Sequence, residues 1–339
     1  MENTKKIRRD DVAKAAGVSK AVVTWVMAGT AKDRKISDAT IAKVEKAIKM
    51  LNYRPCIWGK LINTQKSGLI AFISSNLSDP NAGEIIRNIN ISVRRKGYGL
   101  MLFDLYGSGK FSSESIVKFE DCLAEAFILH APGDDILKFC SKGKFAGKPF
   151  CVLGRNMKNR DMPSVEVDNF KGAELAIMHL LEKKVLKLGI IADEKHLQYT
   201  KERLEGCEKF FKAYPELKTY LYFRTSSENQ HEAGSNAIKK WISSREIPDV
   251  VFAMGDVIAL GALSEINDLH VKCPEEFKIV GFDGAVISEY SSPPLTTVRQ
   301  PFEKMCEKAV EICVLGIRGE KFDNIHFSLE PELIVRKTT

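Results

Sequence analysis

Residues 9 to 27 read RDDVAKAAGVSKAVVTWVM, and this stretch decides the fold of the N-terminal part of the chain. Small and apolar residues recur at helical spacing up to Gly17, a residue type that commonly ends a helix in the left-handed conformation. Ser19 follows at the N-cap position of a second helix, which we expect over residues 20 to 27. Two short helices joined by a tight, glycine-containing turn form a helix-turn-helix.

A third helix completes this unit. Ser37 is placed to cap it, and apolar residues follow at i, i+3 and i+4 spacing until the string LNYRP at 51 to 55. Three helices can enclose a small core, although about fifty residues are marginal for independent stability. We therefore predict an all-α helix-turn-helix headpiece over residues 1–54, followed by a hinge or linker over residues 55–67.

The rest of the chain, residues 68–339, alternates short β-rich runs with amphipathic stretches. Near-continuous apolar strands separated by helices indicate parallel sheets covered on both faces, and this many units favour two doubly wound α/β subdomains. Open parallel sheets bind ligands beyond the carboxyl ends of their strands, so we expect a ligand cleft between the subdomains. The predicted strands are 69–74, 99–104, 126–131, 149–154, 187–192, 249–254 and 277–282, and the predicted helices are 83–96, 170–182, 201–213, 231–243 and 257–268.

The net charge is concentrated at one end of the chain. Residues 1–66 hold 15 Lys and Arg against 6 Asp and Glu, a surplus of nine positive charges, whereas the remaining 273 residues carry a net charge of −2. A surplus of that size on one small module is expected of a part that approaches a polyanion, with nucleic acid first among the candidates. A solvated basic arm or a patch for anionic lipid is the alternative.

Composition excludes several classes of protein. With 339 residues, 44% of them hydrophobic and 28% charged, the chain belongs to the globular class rather than the disordered or fibrous ones. It contains no apolar run long enough for a membrane span, and its first residues, MENTKKIRRD, lack the apolar run of a signal peptide. We therefore expect a cytoplasmic protein without a membrane partner.

Motifs for enzyme chemistry are missing from the sequence. The 8 cysteines include no C-x-x-C pair, and the 6 histidines have no metal-ligand spacing. The string YGSGK at 106–110 resembles a phosphate-binding loop, but that motif requires glycine where Asp104 stands and Ser or Thr where Phe111 stands. We expect no catalytic residues, no metal and no cofactor.

Several strings, in this order along the chain, carry a resemblance to a known family. Together they resemble the LacI/GalR-type bacterial transcriptional regulator family over nearly the whole chain. The strings are DVAKAAGVSKAVVTWVM (11–27), LNYRP (51–55), GALSEIN (261–267), IVGFDG (279–284) and SSPPLTTVRQP (291–301).

The resemblance implies a homodimer that binds palindromic operator DNA, with a periplasmic-binding-protein-like core behind the headpiece. Its chain would cross three times between an N-subdomain, at about 68–166 and 298–327, and a C-subdomain, at about 167–296 and 328–339. The helix beginning near Phe302 would lie either at the dimer interface or inside the core.

The resemblance also assigns DNA contacts in the second helix. A helix fits the major groove with its N-terminal residues at the base edges. Lys20, Ala21 and Trp25 match the base-reading set of the family, with Ser19 and Thr24 beside them. The family commonly has Arg in place of Trp25, so operator preference should differ, unless Trp25 only completes the headpiece core or contacts the hinge. Lys20 alternatively contacts phosphate alone.

The string PCIWGKLI at 55–62 matches the family hinge, a short helix that orders on DNA and inserts an apolar side chain into the minor groove. Ile62 aligns with the inserted residue, Leu61 is the neighbouring alternative, and Lys60 stands where arginine is common. Gly59 lowers the stability of such a helix. A flexible tether without groove insertion is the alternative.

In the core, Arg203 and Asp283 match family positions that bind polar groups of an effector. The alternatives are that Asp283 only shapes its turn and that Arg203 pairs on its own helix with Glu202 or Glu205. Other expected sugar contacts are missing, because Asn81, Gly154 and Gly255 replace them, the last before Asp256. The cleft should then accept something larger or chemically different from a sugar, or be opened by a protein partner.

The sequence thus predicts a sequence-specific DNA-binding regulator, with repression expected, whose operator affinity is set by a small-molecule effector in the cleft. Sugar-like effectors are the usual class for the family. The alternatives are a solute-binding protein of the same fold and a regulator controlled by a protein partner.

Overall fold

The computed structural model describes residues 7–53, 66–74, 77, 79–104, 123–140, 147–157, 162–183, 185–320 and 325–339. The chain divides into two compact units, Met1–Ser67 and Gly68–Thr339.

The first unit is a bundle of α1 (Arg9–Ala16), α2 (Lys20–Met27) and α3 (Asp38–Met50). Val12, Val23 and Val44, one from each helix, are fully buried and form the centre of its core. The predicted helix-turn-helix is confirmed, including the bounds of its two helices.

Caps explain why these helices begin and end where they do. Ser19 accepts a hydrogen bond from the backbone N–H of Val22, and Ser37 accepts one from Thr40, as N-cap hydroxyls do. Gly17 ends α1 at φ 65°, a left-handed conformation in which a residue with a Cβ is strained. These are the three residues that the sequence marked as helix boundaries.

The second unit contains two six-stranded sheets in the described residues. The first sheet is parallel throughout, in the order β11-β5-β4-β3-β1-β2. Its strands are β1 (Leu69–Ser74), β2 (Gly99–Asp104), β3 (Ala126–His130), β4 (Phe150–Leu153), β5 (Ser164–Val167) and β11 (His326–Leu329).

The second sheet has the order β12-β10-β9-β8-β6-β7, with β12 antiparallel to β10 and the other described pairs parallel. Its strands are β6 (Lys187–Ala192), β7 (Lys218–Phe223), β8 (Val250–Ala253), β9 (Lys278–Asp283), β10 (Thr296–Arg299) and β12 (Glu332–Ile334). Two doubly wound α/β subdomains are thus confirmed.

Helices cover both sheets. Those of the first subdomain are α4 (Ala82–Arg95), α5 (Asp134–Cys140) and α10 (Phe302–Arg318), and those of the second are α6 (Asn169–Leu181), α7 (Gln198–Ala213), α8 (Gln230–Ser243) and α9 (Asp256–Asp268). Met305, Ala309, Ile312 and Cys313 of α10 are buried in the core of the first subdomain, so the position inside the core is the correct one of the two alternatives. No helix in the described part of the chain is long and apolar enough to cross a membrane.

The chain passes between the sheets after β5, after β10 and after β11. The subdomain boundaries proposed from the sequence shift by one or two residues at each crossing. Val167 and the pair Ser328 and Leu329 belong to the first sheet, whereas Val298 and Arg299 belong to the second. Strand pairing decides this, because Leu329 is paired with Val167 and Val298 with residues of β9 and β12.

Two glycines allow α8 and α9 to pack backbone against backbone. A Cβ on Gly234 would overlap the carbonyl oxygen of Ile258, and a Cβ on Gly261 would overlap that of His231. Both contacts are with main chain, which cannot swing aside as a flexible side chain would. The α8–α9 pair therefore depends on the absence of side chains at these two positions.

We expect Gly234→Ala to lower the free energy of unfolding by about 1–3 kcal/mol, because the added methyl forces the two helices apart. Gly83→Ala is the matched control, since Gly83 lies in α4 with open space around its Cβ position. That change should be neutral or stabilise by up to about 1 kcal/mol. Thermal melting of both full-length variants measures this, and equal melting temperatures would contradict the close packing.

Candidate functional site

The N-terminal half of α2 presents an exposed face. The side chain of Lys20 is 67% exposed and forms an ion pair of 2.7 Å with Asp10 of α1, and Ala21 is exposed beside it. The buried Val23 on the opposite face holds the helix against α1 and α3. A rigid helix thus offers a cation and a small residue to an approaching surface.

The hydroxyls of Ser19 and Thr24 are already used within the headpiece. Ser19 caps α2, while Thr24 donates to the carbonyl of Lys20 at 2.9 Å and accepts from Nη1 of Arg9 at 3.0 Å. The Arg9–Thr24 hydrogen bond joins α1 to α2. These two residues therefore position the helix, whatever else they contact.

Trp25 is half-buried and is not a member of the apolar cluster that the described headpiece residues form. The guanidinium of Arg34 lies 5.6 Å from the centre of its ring, within cation–π distance. The indole is therefore part of a surface that combines an aromatic ring with a positive charge. The predicted hinge residues Lys60, Leu61 and Ile62 lie outside the described residues.

A cleft lies between the carboxyl ends of the two sheets in the second unit. Its inner cavity, of about 140 Å³, is bounded by His130 at the end of β3 and by Asp283 at the end of β9. An outer cavity of about 640 Å³ adjoins it and shares Asn169 and Tyr199 as lining residues. The expectation of a cleft at this edge of the sheets agrees with this arrangement.

Arg203 is buried at the base of the inner cavity with its donors directed by the protein. Its Nε donates to Oδ1 of Asn169 at 2.9 Å, and its Nη1 donates to the carbonyl of Met254 at 2.7 Å. Its Nη2 lies 3.8 Å from Oδ1 of Asp283, and its guanidinium lies 3.5 Å from the ring centre of Phe282. The structure therefore brings the two predicted effector residues together.

Arg203 does not pair with Glu202 or Glu205, the alternative that the sequence left open. The carboxylate of Glu202 instead accepts from Nδ2 of Asn169 at 2.8 Å and from Nε2 of Gln198 at 2.9 Å. Asn169 thus bridges Arg203 and Glu202.

Asp283 has an unusual backbone as well as an unusual environment. Its φ of 118° lies in the region that favours glycine, so the turn after β9 holds it under strain. Burial and the nearby Asp79 raise its pKa, and Arg203 opposes this shift. Nε2 of Gln300 donates to its Oδ1 at 2.7 Å. Asp283 therefore does more than shape its turn, because its carboxylate lines the inner cavity.

Asn81 and Gly154, which replace expected sugar contacts, both line the inner cavity. Oδ1 of Asn81 is buried without a hydrogen-bond partner among the described residues. Gly154 leaves space beside the imidazole of His130, whose pKa is lowered by burial. The sequence did not mark His130, because its place in the cleft depends on strand order.

Glu166 is a second residue that the sequence did not mark. It lies on β5 with 8% of its surface exposed and lines the outer cavity. Burial raises its pKa to about 8, and the negative charges of Glu202 and Asp168 act in the same direction. The cleft therefore contains an acidic group that no basic side chain compensates among the described residues.

A buried ion pair behind the cleft positions two more lining residues. Asp193 pairs with Arg224, accepts from the hydroxyl of Tyr199 at 2.7 Å, and accepts from Nε2 of Gln230 at 3.1 Å. Burial alone would raise the pKa of Asp193, but these hydrogen bonds hold this pKa below its usual value. Tyr199 and Gln230 are thus fixed on the wall of the inner cavity.

Both parts of the chain match family models. The model for "Bacterial regulatory proteins, lacI family" matches residues 10–56, and the model for a "Periplasmic binding protein-like domain" matches residues 177–339. The HTH-type transcriptional repressor PurR of Mannheimia succiniciproducens is 28% identical over 338 residues, which cover 97% of each chain. The chain belongs to the lacI family of bacterial regulatory proteins.

Solved structures agree with the fold of this lacI-family regulator. The lac repressor dimer bound to operator and the anti-inducer ONPF has a TM-score of 0.83 at 20% identity, covering 98% of this chain and 99% of that chain. The complex of the transcriptional regulator CelR with cellobiose has a TM-score of 0.70 at 24% identity, covering 98% of this chain and 100% of that chain.

Family membership confirms the prediction of a DNA-binding transcriptional regulator. The curated relative is a transcriptional repressor and not an enzyme, which supports the prediction of a non-enzyme.

The raised pKa of Glu166 makes a prediction about the stability of this lacI-family core. Because the folded protein binds this proton more tightly than the unfolded chain, stability should fall as pH rises from about 5 to about 8. Glu166→Gln removes this loss. The free energy of unfolding of the variant, relative to that of the wild type, should therefore rise by on the order of 2 kcal/mol across that pH range. Thermal melting at several pH values measures the difference.

Glu216→Gln is the control, since Glu216 is exposed between α7 and β7. Its difference from the wild type should not change with pH. Glu202, Arg155 and Lys201 also line the cavity, Asp168 also acts on Glu166, and all four remain in both variants. A Glu166→Gln difference that is equally flat would contradict the assignment of the proton to Glu166.

Proposed function

We propose that the protein is a homodimeric transcriptional repressor that reads palindromic operator DNA through α2 and responds to a small-molecule effector in the cleft. The observation that carries the proposal is the exposed, internally braced face of α2, with Lys20 and Ala21 at its N-terminal end. This helix lies in a module with nine surplus positive charges. Major-groove reading requires both features.

Lys20, Ala21 and Trp25 are the proposed base-reading residues. Lysine reaches guanine or phosphate oxygens, and a small residue lets the helix approach the groove closely. An indole packs on a thymine methyl and donates one hydrogen bond. Arg34, beside the ring, adds a cation for the neighbouring phosphate. The hydroxyls of Ser19 and Thr24 are already hydrogen-bonded within the headpiece, so a contact of either residue with DNA is additional to these bonds.

The hinge contact rests on the resemblance of residues 55–62. Leu61 or Ile62 would insert into the minor groove at the centre of the operator, with Lys60 on the adjacent backbone. Such insertion costs a few kcal/mol of base unstacking, which the contacts on the bent duplex offset. Two headpieces related by a two-fold axis would read the two half-sites. The dimeric, operator-bound state of the lac repressor supports this arrangement.

Effector control is proposed through Arg203 and Asp283. Ligands such as ONPF and cellobiose, bound by the structural neighbours, support a small polar ligand for this cleft. Coupling between two sites is a difference in affinity between two conformations, typically about 1–3 kcal/mol. A repressor that acts on the chromosome in this way would work in the cytoplasm.

Selection of bound duplexes from randomised DNA tests the DNA-binding proposal. We expect enrichment of an inverted repeat by the full-length protein. Trp25→Arg should change the preferred bases within each half-site, because arginine contacts guanine through two hydrogen bonds. The absence of any enriched sequence with the wild type would refute the proposal.

Lys20→Ala should weaken binding to the selected operator by about tenfold or more, as expected when a direct groove contact is lost. Lys49→Ala is the matched control, because it removes the same charge from the end of α3. Equal losses in a titration of labelled operator would show that Lys20 acts only through net charge.

A further inference from the structure

The described residues on the walls of the cleft include more acidic than basic side chains. The carboxylates that line its two cavities are Asp79, Asp134, Glu166, Glu202 and Asp283. The described cations on the same walls are Arg155, Lys201 and Arg203. The described walls of the cleft therefore carry an excess of acidic side chains before any pairing is considered.

Two of the three described cations are already paired with acids of the cleft. Arg155 donates to Asp134 at 2.7 Å and to the carbonyl of Pro132 at 2.6 Å, so its charge is already matched. Arg203 is matched by Asp283 and donates to two further acceptors. Among the described lining residues, Lys201, an exposed residue of α7, is the one Lys or Arg left for the remaining acids.

Glu166 is the least compensated of these acids. It is more than nine-tenths buried and lines the outer cavity, and the described part of the chain places no hydrogen-bond donor on its carboxylate. A buried carboxylate without a partner is costly, and a protein retains one where a ligand supplies the partner. The charges that act on it from nearby, Glu202 and Asp168, are of the same sign.

Glu202 is oriented rather than neutralised. Both of its oxygens accept from neutral amides, those of Asn169 and Gln198. Asn169 is itself fixed by Nε of Arg203. The carboxylate is thus held on the cavity wall by neutral hydrogen-bond partners.

Several donors on the wall of the inner cavity are already used within the protein, since Tyr199 and Gln230 both donate to Asp193. The Arg203 donors described above are used within the protein, while Oδ1 of Asn81 is an acceptor without a partner among the described residues. A ligand that satisfies this cavity must bring N–H or O–H groups. A site whose acceptors lack partners favours a cation that carries further donors.

We infer that the effector is a small organic cation whose ammonium group binds between Glu166 and Glu202, with hydroxyl or amine donors directed to Asn81 and Asp79. A metal ion is a poorer match, because the described residues contain no group of three or more metal-binding side chains. Amino sugars and aliphatic amines have this chemistry. The inference rests on the proposed function of the cleft as the effector site.

Calorimetry on the full-length protein without DNA tests the inference with two matched pairs of probes. Glucosamine is compared with glucose, and putrescine with 1,4-butanediol, at constant ionic strength and neutral pH. Because burial raises the pKa of Glu166 to about 8, an ammonium group that pairs with this carboxyl must also displace its proton. We expect at least one amine to bind more tightly than its uncharged partner by about tenfold or more, as for hydrogen bonds to a charged group. If neither amine exceeds its partner, the inference is wrong.

Variants of the full-length protein identify the acidic residue that causes the preference for the amine. Glu166→Gln should remove the preference for the amine, because an amide cannot become an anion, and it is expected to fold, because it replaces a carboxyl by a neutral group of similar size. Glu216→Gln, which removes an exposed charge outside the cleft, should retain the preference. If both variants retain it, the amine binds elsewhere and the inference is overturned.

Operator titration in the presence of the same probes separates this inference from the proposed function. An amine that binds through Glu166 without changing operator affinity would uphold the ligand class and contradict effector control. Glucose or butanediol that changes operator affinity equally in the wild type and in Glu166→Gln would uphold effector control and contradict the ligand class.

Discussion

The buried guanidinium of Arg203 is the interaction on which the cleft depends. It reaches Asn169 at the start of α6, the end of β8 through the carbonyl of Met254, and Asp283 at the end of β9. Charges buried in this way must be paired and hydrogen-bonded, so the positions of three elements are set together. Removing this side chain would leave the carboxylate of Asp283 without its cation at the centre of the site.

The headpiece gains little stability from its core, because about fifty residues bury little apolar surface. Local hydrogen bonds contribute where the core is small. Ser19 and Ser37 cap their helices, and Arg9 joins the first two helices through Thr24. The face of α2 that remains exposed is therefore well ordered, which is what recognition of a rigid duplex requires.

Local chemistry made much of this structure predictable. Caps, glycines and apolar periodicity located the headpiece helices and the long strands, and matched positions located Arg203 and Asp283. The strands β5, β7, β10, β11 and β12 were not predicted, since most are three or four residues long and several carry polar residues. Glu166 and His130 were missed because their neighbours come from distant parts of the chain, and only the strand order brings them to the cleft.

The placement of the three crossings has a mechanical consequence. Asn169 and Gln300 follow the first and second crossings, and they hydrogen-bond to Arg203 and Asp283 respectively. Any rotation of one sheet against the other must bend the chain at these points. The two crossing points therefore form part of the cavity wall, so a molecule in the cavity would touch directly the places where such a rotation bends the chain.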